Sequence, residues 1–215
     1  MRPTDYLKSL ALADWQSATK HRFTNALADG SLQPEKMLGH LRQDYLFLDG
    51  FMRLLASAIA QAPMLPDAIP TAQFLGQISG PENTYFLRFT VALGGQISPM
   101  AQPAAVTVDF QRVMRSAAQS GRYDQMLAVP VVAQWSYLEW ASPYVQRAND
   151  LPFWSGEWII LHSDDEVEAV VAYLRQQLDQ LWPGLPQERR AAVKAIFCQT
   201  VALEVPFFDA AQRGF

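Results

Sequence analysis

Two carboxylates lie in segments that otherwise read as buried helix faces. Asp44 stands in "HLRQDYLFLDGF", with Phe47 and Phe51 three and seven positions on and therefore on the same side of a helix. Glu204 stands in "IFCQTVALEVPFFDAA", with Phe197 seven positions before it and Phe207 three after. A carboxylate taken out of water is unstable unless it is paired or bound. Each therefore either makes a structural hydrogen bond or ion pair to an interior arginine or serves a ligand, and two in one chain raise the weight of the second reading. The chemistry open to such groups is proton transfer and the binding of hydrogen-bond donors.

A third segment, "VPVVAQWSYLEWASPY" over 129–144, raises the question why a helix with the look of an enzyme's working helix carries an alanine, Ala133, at its middle. Trp135, Tyr137, Trp140 and Tyr144 decorate it, and aromatic clusters at helical spacing are more often core than ligand site. Tyr137 differs in carrying a hydroxyl that needs a partner if buried. Gln134 and Glu139 are the polar groups nearby, although successive helix positions point in different directions. His21, His40 and His162 are far apart and form no metal-ligand pair, so a metal site is not expected. His162 directly precedes "SDDE", which reads as a capping box from Ser163 to Glu166. A helix N-terminus there would keep the imidazole neutral, as a hydrogen-bonding group or simply as a loop residue capping its neighbours. Gly-x-Ser-x-Gly, phosphate-loop and Cys-x-x-Cys motifs are absent. Cys198 lies in an apolar run and reads as inert core.

The elements that must position these groups are helices. Residues 5–28 carry a helical period, with Asp5 as a possible N-cap and Gly30 as a left-handed stop. "SLQPEK" restarts a helix with Pro34 in its first turn. Beyond it Leu38, Leu41, Tyr45, Leu48, Met52, Leu55 and Ile59 alternate at spacings of three and four, which predicts one buried side. "APMLPDAIP" interrupts the pattern, 82–93 resumes it, and "GGQISPMAQP" reads as a loop containing the Gly94-Gly95 turn. Helices are predicted over 104–119, 123–148, 164–182 and 187–213, the last with a kink at Pro206 beside Glu204. No period-two alternation builds up to a sheet, so the fold class is all-α, one helical bundle over 1–215.

Composition narrows the function classes. Half of the 215 residues are hydrophobic, 12% are aromatic and only 18% are charged, which suits a large core and leaves apolar surface for a subunit interface. A net charge of −4 with scattered Lys and Arg offers no stripe for a phosphate backbone, so no nucleic-acid partner is expected. Every apolar run is interrupted short of the roughly 18 residues a bilayer span needs, so no membrane partner is expected either. One cysteine and a polar start, "MRPTDYLKSL", suggest a reducing, cytoplasmic location.

The carboxylates and their settings resemble the TenA family, the thiaminase II type proteins. "HRFTNALADGSLQPEKMLGHLRQDYLFL" matches the family's opening pattern. "SGRYDQMLAVPVVAQWSYLE", "EWIILHSDDE" and "LEVPFFDAA" follow in the family's order, so the resemblance spans nearly the whole chain. It implies a heme-oxygenase-like helical bundle, a homo-oligomer (tetramer or dimer) and action on the aminopyrimidine half of thiamin, without a cofactor. By the same resemblance Asp44 binds the pyrimidine amino group, Glu204 is catalytic, and Tyr137 is the tyrosine one turn after the nucleophile. The family's cysteine falls on Ala133, and three further pocket tyrosines fall on Phe47, Phe110 and His162. A second subgroup also lacks that thiol and relies on carboxylates acting on water.

Three functional readings follow. The chain is a cysteine-independent aminopyrimidine aminohydrolase, or a diverged relative acting on another small aromatic amine, or a pyrimidine-binding protein without turnover. A haem or metal oxygenase reading rests on fold analogy alone and ranks last.

Overall fold

The computed structural model describes residues 1–96, 98 and 101–215, and among these all regular structure is helical. Three short helices, α1 (Pro3–Leu10), α2 (Leu12–Thr19) and α3 (Arg22–Asp29), lead into the long α4 (Pro34–Gln61). Next come α5 (Leu65–Gln77) and α6 (Asn83–Ala92), joined by a π-helical turn over Ile78–Glu82. They are followed by α7 (Ala105–Gln119) and α8 (Tyr123–Ala141). A 3₁₀ segment, Ser142–Asp150, connects to α9 (Phe153–Leu161) and α10 (Asp165–Leu181), and a shorter one, Trp182–Gly184, to α11 (Gln187–Arg213). Ile97, Pro99 and Met100, in the loop expected over 94–103, lie outside the described residues.

The bundle is organised around α8, which packs against α2, α4, α7, α10 and α11. Its run from Met126 to Ala133 is buried without interruption, as a helix surrounded by others requires. α11 in turn contacts α1, α2, α3, α4 and α7, which draws both ends of the chain together. Gly156 fixes how α9 sits on the 3₁₀ segment: a Cβ there would lie 2.1 Å from the Ala148 carbonyl oxygen, so the close approach needs glycine.

Several expectations need correction. Residues 5–28 form three helices, because the backbone leaves helical geometry at Ala11 and again at Lys20 (φ −118° and −119°) while the apolar period continues across both breaks. α1 starts at Pro3 after Arg2, so Asp5 lies inside the first turn and is not the cap. "APMLPDAIP" contains the start of α5, since Pro66 falls where no intrahelical N–H is needed and Pro70 forfeits a single bond. α9 is an additional helix in a stretch apolar on all sides, where no period marks it. α8 ends at Ala141, and residues up to 150 continue as 3₁₀.

On α4 the buried side is centred on Met37, His40, Leu41, Asp44, Leu48, Phe51, Leu55 and Ala58. Leu38, Tyr45, Met52 and Ile59, from the predicted stripe, lie at its margin. That rotation places Asp44 on the inward face and not merely beside it. α11 continues as helix through Pro206, whose missing amide leaves the Ala202 carbonyl without its usual intrahelical partner. By length and composition α11 is also apolar enough to cross a membrane, contrary to the sequence expectation. Its isolated charges interrupt apolar runs without lowering the average enough. In the fold Val193, Phe197, Val201 and Phe207 of α11 pack into the bundle core, with Glu204 among them.

Candidate active site

The inward turns of five helices and one helix junction surround a single cavity of about 460 Å³, its mouth included. α4 contributes Asp44, Phe47, Leu48 and Phe51, and α7 contributes Phe110. α8 contributes Ala133, Gln134 and Tyr137, the last about one turn beyond the other two. His162 enters from the end of α9, Glu204 and Phe207 from α11, and Glu82 from the π-helical turn. All seven residues singled out from the sequence therefore line one space, although they come from five places in the chain.

The walls are aromatic. Phe47 stacks on Phe51 at 5.3 Å and meets Phe110 edge-on at 5.3 Å, and Phe110 meets Phe207 edge-on at 5.8 Å. Tyr137 and His162 lie 4.8 Å apart, and His162 packs 4.2 Å from Trp158. A flat ring fits such walls, because offset and edge-on contacts are the favoured aromatic geometries.

Three carboxyls face this space. Asp44 is 8% exposed and Glu204 is 3% exposed, and burial pushes their pKa values up to about 7 and about 8. The Asp44 charge adds to the rise at Glu204. Glu82 is half-buried as a residue, but its carboxyl end is enclosed, and burial followed by the Asp44 charge raises it to about 8. None of the three takes a hydrogen bond or an ion pair from the described residues. The interior-arginine explanation for Asp44 and Glu204 thus fails. An arginine does pair with a buried carboxylate elsewhere, where Arg189 of α11 meets Asp124 at the start of α8. Buried carboxyls left without a protein partner titrate as a set and favour a ligand that brings donors or positive charge. The Tyr137 phenol is held protonated far above neutrality, first by burial and then by Asp44, Glu204 and Glu82, so it too can donate.

His162 is positioned differently from expectation. It closes the C-terminus of α9, where Nδ1 lies 2.8 Å from the Trp158 carbonyl oxygen. A carbonyl only accepts, so Nδ1 carries the proton and Nε2 is left as an acceptor. The cap of α10 is Asp164, which accepts from the Val167 amide at 2.8 Å, while the Ser163 hydroxyl donates back to Ile159 at 2.6 Å. The predicted capping box is therefore one residue out of place. His162 is kept neutral chiefly by burial, which lowers its pKa to about 4.

Glu139 points away from the cavity to Lys8, and Trp135 packs outside it against Trp15 and beneath Arg175. Cys198 is half-buried and lines no part of the cavity. Among the described residues no cluster of His, Cys, Asp and Glu has an arrangement that could hold a metal ion. Glu82 is the site residue that sequence reasoning missed. The sequence reading takes it as the first residue of the helix over 82–93, and the clue was a carboxylate three and four residues ahead of the buried Tyr85 and Phe86.

An all-helical bundle enclosing an aromatic cavity with unpaired carboxyls defines a site for a small, flat, donor-bearing molecule. The chain belongs to the TENA/THI-4/PQQC family, whose model matches residues 11–214. It is 30% identical to an aminopyrimidine aminohydrolase of Halalkalibacterium halodurans over 201 residues, 92% of this chain and 89% of that one. An aminopyrimidine aminohydrolase of Helicobacter pylori is 25% identical over the full length of both chains. Among solved structures, a TenA homologue from P. horikoshii OT3 superposes with a TM-score of 0.86 at 22% identity, covering all of both chains. The resemblance read in the sequence and the all-α bundle both hold.

Proposed function

We propose that this chain is a hydrolase of thiamin-pyrimidine salvage, of the aminopyrimidine aminohydrolase type, that works without a thiol. The observation that carries this reading is the pairing of Ala133 with unpaired carboxyls around one aromatic cavity. A thiolate would divide the substitution at the aminomethyl carbon into two easier steps, and alanine supplies no such route. The carboxyls supply another. Asp44 accepts hydrogen bonds from the ring amino group, the ring lies between Phe47, Phe110 and Phe207, and Glu204 delivers a proton to the departing amine. Tyr137 donates and the Nε2 of His162 accepts at the ring's polar edge. The reaction needs no metal or cofactor, and the chain acts as one domain over 1–215 in a cytoplasmic homo-oligomer, a tetramer or dimer.

Phe47 and Phe110 offer stacking surface but no donors, so discrimination among polar ring substituents is relaxed in this cavity. That feature favours a second reading, in which the same residues act on another small aromatic amine. The test is incubation of the purified protein with thiamin, with aminomethyl-pyrimidine and with its N-formyl derivative, followed by mass spectrometry. Hydroxymethyl-pyrimidine from the amino or formyl compound, but not from thiamin, is the expected result. Product from none of them would overturn the salvage reading and leave ligand capture or another amine.

A further inference from the structure

We infer that Glu82 is a second proton-transfer residue of this site, the base that activates water while Glu204 serves the leaving amine. This rests on the hydrolase reading above and extends it to a residue that reading does not use.

The first support is position. Glu82 shares the main cavity with Asp44 and Glu204, and it also lines an adjoining cavity of about 450 Å³, its open mouth included. Glu82, Gln134 and His162 are common to both, so these three side chains form the partition between an inner and an outer chamber. The outer chamber reaches Asp164 and Glu166 at the start of α10, and an exposed hydrogen bond from Gln77 to Glu166, 2.7 Å long, spans its rim. Water arriving from that side meets Glu82 before it meets Glu204.

The second support is the backbone. The π-helical turn Ile78–Glu82 carries Pro81 inside it and ends on Glu82 itself. A π turn inserts a residue into the helical register, and such turns occur frequently at functional sites. Here it re-aims one carboxyl inward just before α6 begins. The third support is the lack of any structural role: no cation lines either chamber, and Glu82 has no hydrogen-bond partner among the described residues.

The step balances. Glu82, ionised, takes a proton from water as the C–O bond forms at the aminomethyl carbon. The C–N bond breaks with its electron pair on nitrogen, and Glu204, protonated, gives that nitrogen its proton. Aminomethyl-pyrimidine and water become hydroxymethyl-pyrimidine and ammonia, with Glu82 now protonated and Glu204 ionised. Proton exchange through water of the outer chamber restores both. Burial and the Asp44 charge raise both carboxyls to about 8, so around that pH a share of the molecules holds Glu82 ionised and Glu204 protonated. The titratable groups that face these two carboxyls are Asp44 and Tyr137 in the inner chamber, Tyr85 behind Glu82, and His162, Asp164 and Glu166 around the outer chamber.

The experiment is steady-state kinetics on aminomethyl-pyrimidine across pH for the wild type, Glu82→Gln and Glu82→Asp, with calorimetric binding of hydroxymethyl-pyrimidine to each. Glu82→Gln is expected to lower kcat by about a hundred-fold or more with KM and product binding nearly unchanged, and to abolish the acidic limb of the profile. Glu82→Asp is expected to recover part of kcat together with that limb. An active wild type whose Glu82→Gln variant keeps its rate and both limbs would overturn the role of Glu82 alone. Loss of product binding along with turnover would overturn it in favour of a structural role. A wild type without turnover would overturn the hydrolase reading itself, and this inference with it.

Discussion

Glu204→Gln is expected to hydrolyse aminomethyl-pyrimidine about a hundred- to ten-thousand-fold more slowly than the wild type, with KM little changed. Glutamine matches glutamate in shape and still hydrogen-bonds, so the walls formed by Phe110, Tyr137 and Phe207 have no reason to move. What it lacks is a transferable proton. Burial and the neighbouring Asp44 hold the Glu204 carboxyl protonated up to about pH 8, which makes it an acid at the pH where an amine must leave. The alkaline limb of the wild-type profile, where Glu204 ionises, is expected to disappear with the substitution. Kinetics across pH check both points, and an unaltered kcat would remove Glu204 from the proton path. Asp44→Asn belongs to a different class, because its expected defect is chiefly in KM for a ring that carries an amino group.

The same carboxyls make the folded protein less stable as pH rises. Asp44, Glu82 and Glu204 have folded-state values of about 7, 8 and 8, above the ordinary carboxylate range. Between that range and their folded values the unfolded chain has released protons that the folded chain still holds. Stability from these groups is therefore fully present at low pH and is lost as pH climbs through the window, until the folded carboxyls ionise as well. His40 and His162 have the opposite sign: burial lowers them to about 3 and about 4, so their contribution is present above the ordinary histidine value and lost as pH falls. From about pH 6.5 to 8 the carboxyls dominate this set. The melting temperature of the wild type is expected to fall across that interval. For Glu204→Gln the fall is expected to be shallower, with stability at pH 8 greater by on the order of a few kcal/mol, or roughly 5 °C or more. Calorimetric scans at several pH values read this directly, and a melting temperature that rises from pH 6.5 to 8 would contradict it. The least active variant would then be the more stable one, as expected when a site holds groups the fold alone would reject.

What could be read in the sequence depended on whether local chemistry or packing decided the outcome. α11 was bounded correctly at 187–213 because Pro186 and Gly214 punctuate it, and Gly214 adopts a left-handed φ of 98°. Gly30, with φ 77°, ended α3 for the same reason. The breaks at Ala11 and Lys20 have no such punctuation. Nothing local forbids a continuous helix there, and the chain turns because α1, α2 and α3 lie against different parts of α10, α11, α8 and α9. The inward face of α4 was displaced because the sequence stripe counted Leu and Met as core while His40 and Asp44 were polar exceptions. In the fold those exceptions are among the buried residues.

The site was legible where an unfavourable residue was kept on an apolar face, as at Asp44 and Glu204, and where the family resemblance named positions, as at Phe47, Phe110, Ala133, Tyr137 and His162. Glu82 was hidden because a π-helical turn re-aims it, and no pattern of apolar spacing reports such a turn. The orientation of His162 was also hidden. Two adjacent aspartates follow Ser163, and which residue caps α10 is settled only by the geometry of the junction with α9.

The central claim is that carboxyls perform this hydrolysis without a thiol. Cys198 is the chain's one cysteine, it is half-buried on α11 outside the cavity, and burial pushes its thiol up, away from the reactive thiolate. The most direct test is therefore kcat/KM for aminomethyl-pyrimidine measured on the wild type and on Cys198→Ser, which contains no sulfhydryl at all. Equal, substantial turnover by both proteins is the expected result. Turnover by the wild type that vanishes in Cys198→Ser, or no turnover by either, would contradict the account.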